Sequence, residues 1–195
     1  MAFSLFDLAG RTALVTGASQ GGGLSIAEGL ASAGAALILN GRTQGKLEAA
    51  AEGLRASGAA VSIAQFDVTD GRAAREAVDT LEGAGTAIDI LVNNAGIQRR
   101  GALETFDHGD WRDLMRTNVD SVFYVGQAVA RHMIARRRGK IINIASVQTE
   151  LARATIAPYT ASKGAVRNLT RGMCADWAGY GLQINAIAPG NFATP

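Results

Sequence analysis

Thr12-Ala13-Leu14-Val15-Thr16-Gly17-Ala18-Ser19-Gln20-Gly21-Gly22-Gly23 is the stretch on which the fold turns. Its first half is a short apolar run, which predicts a buried strand, and the stretch from about Leu24 to Ala33 predicts a helix. The glycines between them fall at Gly17, Gly21 and Gly23, one residue longer from first to last than G-x-G-x-x-G. The physical requirements are the same: a tight turn off the strand, close backbone approach to a pyrophosphate, and close helix–strand packing. Amides at the helix N-terminus then face an anion. A strand, a glycine turn and a helix in that order point to nucleotide binding.

Outward from this unit, short apolar runs alternate with amphipathic stretches, the pattern of a parallel sheet covered by helices. Strands are predicted at 35–39, 61–65, 88–92, 141–145 and 182–187. Helices are predicted at 46–56, 72–81, 110–136 (one long element) and 159–177. Six strands result, with right-handed crossovers between them. No linker or repeat interrupts the chain, which reads as one domain over residues 1–195.

Composition narrows the class. Glycine accounts for 24 of 195 residues against three prolines, so the excess marks turns and not a linker. A net charge of +2 is a weak footprint for nucleic acid, and no nucleic-acid partner is expected. Arg131, Arg136, Arg137, Arg138 and Lys140 read as cations at a helix C-terminus closed by Gly139. The single cysteine, Cys174, rules out an intramolecular disulfide or a cysteine-cluster metal site. His108 and His132 lie near no motif, so no metal is expected. Neither a signal peptide nor a membrane span is legible, and the expectation is a soluble, cytoplasmic protein.

The end of the second strand indicates which nucleotide. A ribose 2′-hydroxyl is usually held by an acidic residue there, whereas a 2′-phosphate repels an acid and favours arginine. The sequence reads Leu39-Asn40-Gly41-Arg42, with no acid and one forked cation. NADP(H) is therefore the expected cofactor.

Tyr159 and Lys163 stand four residues apart, on one face of a predicted helix, and Ser146 lies just past the strand 141–145. A phenol that gives up its proton near neutrality needs about 4 kcal/mol of assistance. A cation about 4 Å away at an effective dielectric of ~20 supplies about that much. The serine hydroxyl is suited to hold a carbonyl or developing alkoxide.

With these elements in place the sequence resembles the short-chain dehydrogenase/reductase family along its whole length. The matching residues are Thr16-Gly17-x-x-x-Gly21-x-Gly23, Asn93-Asn94-Ala95-Gly96, Asn118, Ser146, Tyr159-x-x-x-Lys163 and Pro189-Gly190. The resemblance implies a Rossmann-type doubly wound α/β sheet, strand order 3-2-1-4-5-6, and hydride transfer between a nicotinamide and a carbinol carbon. It implies that Tyr159 is the acid/base, that Lys163 binds the nicotinamide ribose and tunes Tyr159, that Ser146 orients substrate, and that Asn118 supports a proton-relay water. On spacing alone Asn118 is only a polar residue in a long helix. The cofactor contacts implied are Gly17, Ser19, Gln20, Gly21 and Gly23 in the turn, Arg42, and Asp67 and Val68 at the adenine. Asn94, Ala95, Gly96, Tyr159, Lys163, Pro189, Gly190 and Thr194 complete that set.

Within the family, Leu39–Arg42, Gly96–Arg100, Val147–Arg153 and Ile156–Tyr159 resemble the gluconate 5-dehydrogenases. An anionic polyol needs a cation for its carboxylate and polar groups for its hydroxyls. Arg99, Arg100 and Arg153 offer the former, with one of the adjacent pair Arg99 and Arg100 pointing inward, and Gln148 and Glu150 the latter. The rivals are another reductase of the family, such as one for 3-oxoacyl thioesters, and a non-catalytic NADP(H)-binding regulator. The family pattern continues past Pro195 into a lid and a seventh strand, so the expected domain lacks both. Association as a homodimer or homotetramer is expected through the helices around 110–136 and 159–177.

Overall fold

The computed structural model describes residues 6–190. Six strands form one parallel sheet: β1 (Thr12–Val15), β2 (Ala36–Gly41), β3 (Val61–Gln65), β4 (Ile90–Asn93), β5 (Gly139–Ile144) and β6 (Leu182–Ile187). Their order is β3-β2-β1-β4-β5-β6, as expected. The chain reverses its direction of sheet building between β1 and β4, and ligands bind above such a switch point in open α/β sheets.

Six α-helices cover the sheet: α1 (Gly21–Ser32), α2 (Gln44–Ala56), α3 (Gly71–Gly83), α4 (His108–Met115), α5 (Ser121–Ala135) and α6 (Ala157–Trp177). Because strand side chains alternate, the central strands feed two cores. Leu14, Ile38, Leu91 and Ile141 pack with Val78 of α3, Val125 and Val129 of α5 and Val166 of α6. Ala13, Val15, Leu37, Leu39, Ile90 and Val92 pack with Ala27 of α1 and Leu47 and Leu54 of α2.

The long helix predicted over 110–136 is broken. Between α4 and α5 lies one π-helical turn, Arg116–Asp120, with Asn118 buried at its centre. Such a turn inserts one extra residue into the helical path, and here it aims Asn118 at Ile97 in the loop after β4 and at Ser162 of α6.

Gly139 is also corrected. Helix α5 ends at Ala135, Arg137 occupies the left-handed region at φ 53°, and Gly139 already belongs to β5. A Cβ at Gly139 would collide with the Met133 side chain, so this glycine serves helix–strand packing. Four of the five cations make side-chain bonds to other elements, Arg137 to the Gly179 carbonyl and Lys140 to Gln183 among them. Arg136 grips Glu82 through two bonds of 2.8 and 3.0 Å, and Arg138 lies 2.7 Å from the buried Asp89. His132 lies 2.7 Å from Asp79, joining α5 to α3.

Candidate active site

The β1–α1 turn is held open for a ligand by small residues and by one side chain just past β4. Gly17 has φ 63°, and a Cβ at Gly23 would strike the Gly17 carbonyl and come within 2.5 Å of Asn94 Nδ2. Asn94 donates to the carbonyls of Thr16 (2.9 Å) and Gly17 (3.3 Å), while Thr16 Oγ1 accepts from the amides of Asn94 and Ala95. The Asn93–Gly96 segment is thus stapled to the glycine turn. Asn94, expected among the cofactor contacts, commits its amide nitrogen to the turn.

Above this staple opens a cleft of about 820 Å³. Gly17, Ser19, Gln20, Gly21 and Gly23 line it, as do Arg42, Asp67, Val68, Asn94, Ala95 and Gly96. Lys46 also lines it, close to Gln20 Oε1 at 3.4 Å. It is absent from the sequence expectations, although its place in the first turn of the helix that follows Arg42 is legible in the sequence. The cleft suits a phosphorylated dinucleotide. Its floor is glycine, two cations stand past β2, and Asp67, the acid in its wall, already accepts two bonds from Thr69 at 2.9 Å.

A second pocket, of about 300 Å³, adjoins the cleft and shares Asn94, Gly96 and Ile97 with it. Ser146, Tyr159, Lys163, Pro189 and Gly190 line it, together with Gln98. Thr194 lies outside the described residues.

Ser146 is buried and extended at φ −168°, and its Oγ accepts from the Gln148 amide at 3.2 Å. With one lone pair occupied, its O–H is left to donate into the pocket. Lys163 reaches through the site to donate to the Ile144 carbonyl at 2.6 Å, with Nζ 5.8 Å from the Tyr159 ring centre. No carboxylate pairs with it among the described residues. Burial pulls its pKa from the ordinary 10.5 down to about 8.

That shift has a consequence for stability. Between about pH 8 and 10.5 the unfolded chain holds a proton on Lys163 that the folded chain has released, so stability rises with pH across that window. Below about pH 8 both states are protonated and the cost of burying the ammonium is fully present. Lys163→Met is therefore expected to be more stable than the native protein at pH 7, by on the order of 2 kcal/mol. The gain should shrink as pH rises to 10.5, as read from urea midpoints.

Asn118 directs both ends of its side-chain amide at protein groups. Nδ2 donates to the Ile97 carbonyl (2.9 Å) and to Ser162 Oγ (3.0 Å), and Oδ1 accepts from the Ile97 amide (2.8 Å). It clamps the loop after β4 as a neighbouring strand would, and so fixes the wall that carries Gln98.

The five expected substrate residues lie on the two loops beside the pocket without forming its lining. Those loops are joined by the Gly101 amide donating to the Thr155 carbonyl at 3.0 Å. Arg99 is paired with Asp110 at 3.2 Å and Glu150 with Arg167 at 2.8 Å. Arg100 and Arg153 are exposed, and Gln148 Oε1 is buried without a partner.

A family model described as short chain dehydrogenase matches residues 11–195. The chain belongs to the short-chain dehydrogenase family. Within that family it is 61% identical over 190 residues to the gluconate 5-dehydrogenase of Gluconobacter oxydans, covering 97% of this chain and 74% of that protein. It is 48% identical to the 5-keto-D-gluconate 5-reductase of Escherichia coli K12, covering 97% and 75%. Among solved short-chain dehydrogenases, a gluconate 5-dehydrogenase from Burkholderia cenocepacia in complex with NADP and tartrate superposes with a TM-score of 0.95. Its identity is 59%, covering 97% of this chain and 74% of that one. The chain is thus an oxidoreductase of this family.

Proposed function

We propose that this short-chain dehydrogenase interconverts D-gluconate and 5-dehydro-D-gluconate with NADP(H). The observation that carries the reading is the junction of two spaces. The glycine-floored cleft with Arg42 and Lys46 runs into the pocket where Ser146, Tyr159 and Lys163 meet. The names of the relatives supply the substrate class.

NADP⁺ bound in the cleft would supply the hydride acceptor for the carbinol carbon. Gly17, Gly21 and Gly23 would leave room for its pyrophosphate against the α1 amides, and Arg42 and Lys46 would hold the 2′-phosphate. Ser146 donates to the reacting oxygen. Tyr159 takes the hydroxyl proton during oxidation and returns one during reduction. The buried Lys163 ammonium, unpaired with any acid among the described residues, directs its field at the Tyr159 ring, where low dielectric strengthens it. Asn118 keeps Ile97 and the pocket wall in place, and the water-relay role implied by the family would fall to groups other than its side-chain amide.

The substrate carboxylate falls to Arg100 or Arg153, since Arg99 is already neutralised by Asp110. Gln148 and Gln98 serve the hydroxyls, while Glu150 is held by Arg167. The protein acts as one domain and as a homodimer or homotetramer through α4, α5 and α6. Trp111 and Phe123, 40% and 42% exposed, give that face apolar contacts. Sedimentation at the mass of one chain would contradict the association. A cytoplasmic setting fits the free thiol of Cys174.

The test is substrate choice. D-gluconate with NADP⁺ is expected to turn over at least tenfold more efficiently in kcat/KM than acetoacetyl thioester with NADPH. The opposite order would replace the sugar acid with an acyl substrate. NADPH binding without turnover of either would leave a regulator.

A further inference from the structure

Strands β2 and β3 leave the sheet side by side, their last ladder pair being Gly41 with Gln65. Beyond it the chains diverge, β2 into Arg42 and β3 into Phe66 and Asp67, and both branches line the cleft. The ladder's bonds end at this fork, yet two amide side chains tie its branches together. Asn40 of β2 donates Nδ2 to the carbonyls of Ala64 and Phe66, each at 3.1 Å. Gln65 of β3 donates Nε2 back to the Arg42 carbonyl at 3.0 Å. The Asn40 carbonyl also accepts from the Ala18 amide at 2.9 Å, which joins the fork to the glycine turn.

Asn40 is fully buried, and its Oδ1 has no partner. An unpaired buried acceptor is a penalty that leucine, of similar volume, would avoid. Packing alone therefore does not account for an asparagine here. Its orientation is fixed, because both neighbours are carbonyls that only the NH₂ end can satisfy.

We propose that Asn40 and Gln65 form a reciprocal amide clasp that sets the separation of Arg42 and Asp67, and so the fit of the adenosine 2′-phosphate half of the cofactor. This rests on the NADP(H) reading above. Both are positioning residues: Gln65 lines neither space, and Asn40 borders the cleft alone, with neither in the lining of the pocket that holds Ser146, Tyr159 and Lys163. Their loss should act on adenosine-end affinity and leave the chemical step alone.

The experiment compares two probes, NADPH and adenosine 2′,5′-bisphosphate, the latter carrying the adenosine end without nicotinamide. Gln65→Leu is expected to weaken both by the same factor, about fivefold for one bond. Asn40→Leu should weaken both by about thirtyfold for two bonds. In each variant KM for NADP⁺ rises and kcat at saturating NADP⁺ stays at the native value. The double variant should lose less than the product of the two factors, because the bonds act on one fork. Gln65 is exposed, so its variant carries the test even if Asn40→Leu does not fold. Unchanged bisphosphate affinity in the folded variants, or kcat falling with affinity, would overturn the clasp. Failure of the native protein to bind either probe would overturn the NADP(H) reading itself, and the clasp with it.

Discussion

Tyr159→Phe is expected to lower kcat for gluconate oxidation by about 10²–10⁴-fold, the usual contribution of a positioned acid or base, while NADPH affinity stays within about twofold of native. Removing only the phenolic oxygen preserves the ring that faces Lys163 Nζ at 5.8 Å. It also preserves the Tyr159 carbonyl that accepts from Ser162 Oγ at 2.7 Å. The Asn118–Ser162 contact and the clamp on Ile97 should survive with it. The loss then falls on the proton alone. Stopped-flow turnover beside a fluorescence titration of NADPH separates the two quantities. Native turnover in this variant would remove Tyr159 from the chemistry, and lost NADPH binding would make it a cofactor residue instead.

Gly23→Val is the second large effect, on the opposite quantity. Its Cβ would meet the Gly17 backbone carbonyl and Asn94 Nδ2 at once. Asn94 is itself held by Thr16 and Gly17. Neither neighbour can give way without moving the turn, so α1 must shift away from the cleft. Overpacking of this kind costs about 1–3 kcal/mol, and NADPH affinity should fall at least about a hundredfold as the turn opens. The neighbouring Gly22→Val is the control. A Cβ there has only Asn94 Oδ1 nearby, at 3.9 Å. Binding within about threefold of native is expected for it. Equal damage at both positions would mean the turn tolerates no side chain for a reason other than this collision.

The sheet was legible because its physics is local. Strands β3 and β6 have the predicted bounds, 61–65 and 182–187, because each is a short alternating apolar stretch bounded by turns. The π-helical turn at 116–120 was not legible. Periodicity sees a continuous apolar stripe from α4 into α5, and the cause of the break, Asn118 reaching Ile97, is a contact between residues 21 apart. Gly139 misled for a related reason. A glycine after a run of cations resembles a helix cap, but its neighbour in space is the Met133 side chain.

At the site, the glycines, Arg42, Ser146, Tyr159 and Lys163 could be found by spacing, because each needs a fixed offset from a strand end or a helix turn. The substrate loops could not be resolved that way. Arg99 and Glu150 have the right chemistry, but Asp110 of α4 and Arg167 of α6 occupy them, and ion pairs from a loop to a helix leave no pattern in sequence. Asn40 and Gln65 were equally hidden, since an amide that ties two strand exits looks like any polar residue at a strand end.

The most direct measurement uses D-gluconate carrying deuterium at carbon 5, with NADP⁺ and the native chain. The account predicts NADPH bearing the deuterium and an equal amount of 5-dehydro-D-gluconate, with slower turnover than the unlabelled sugar if the transfer limits the rate. NADPH formed without label, or no NADPH at all from a protein that binds NADP⁺, would contradict oxidation of that carbon by this site.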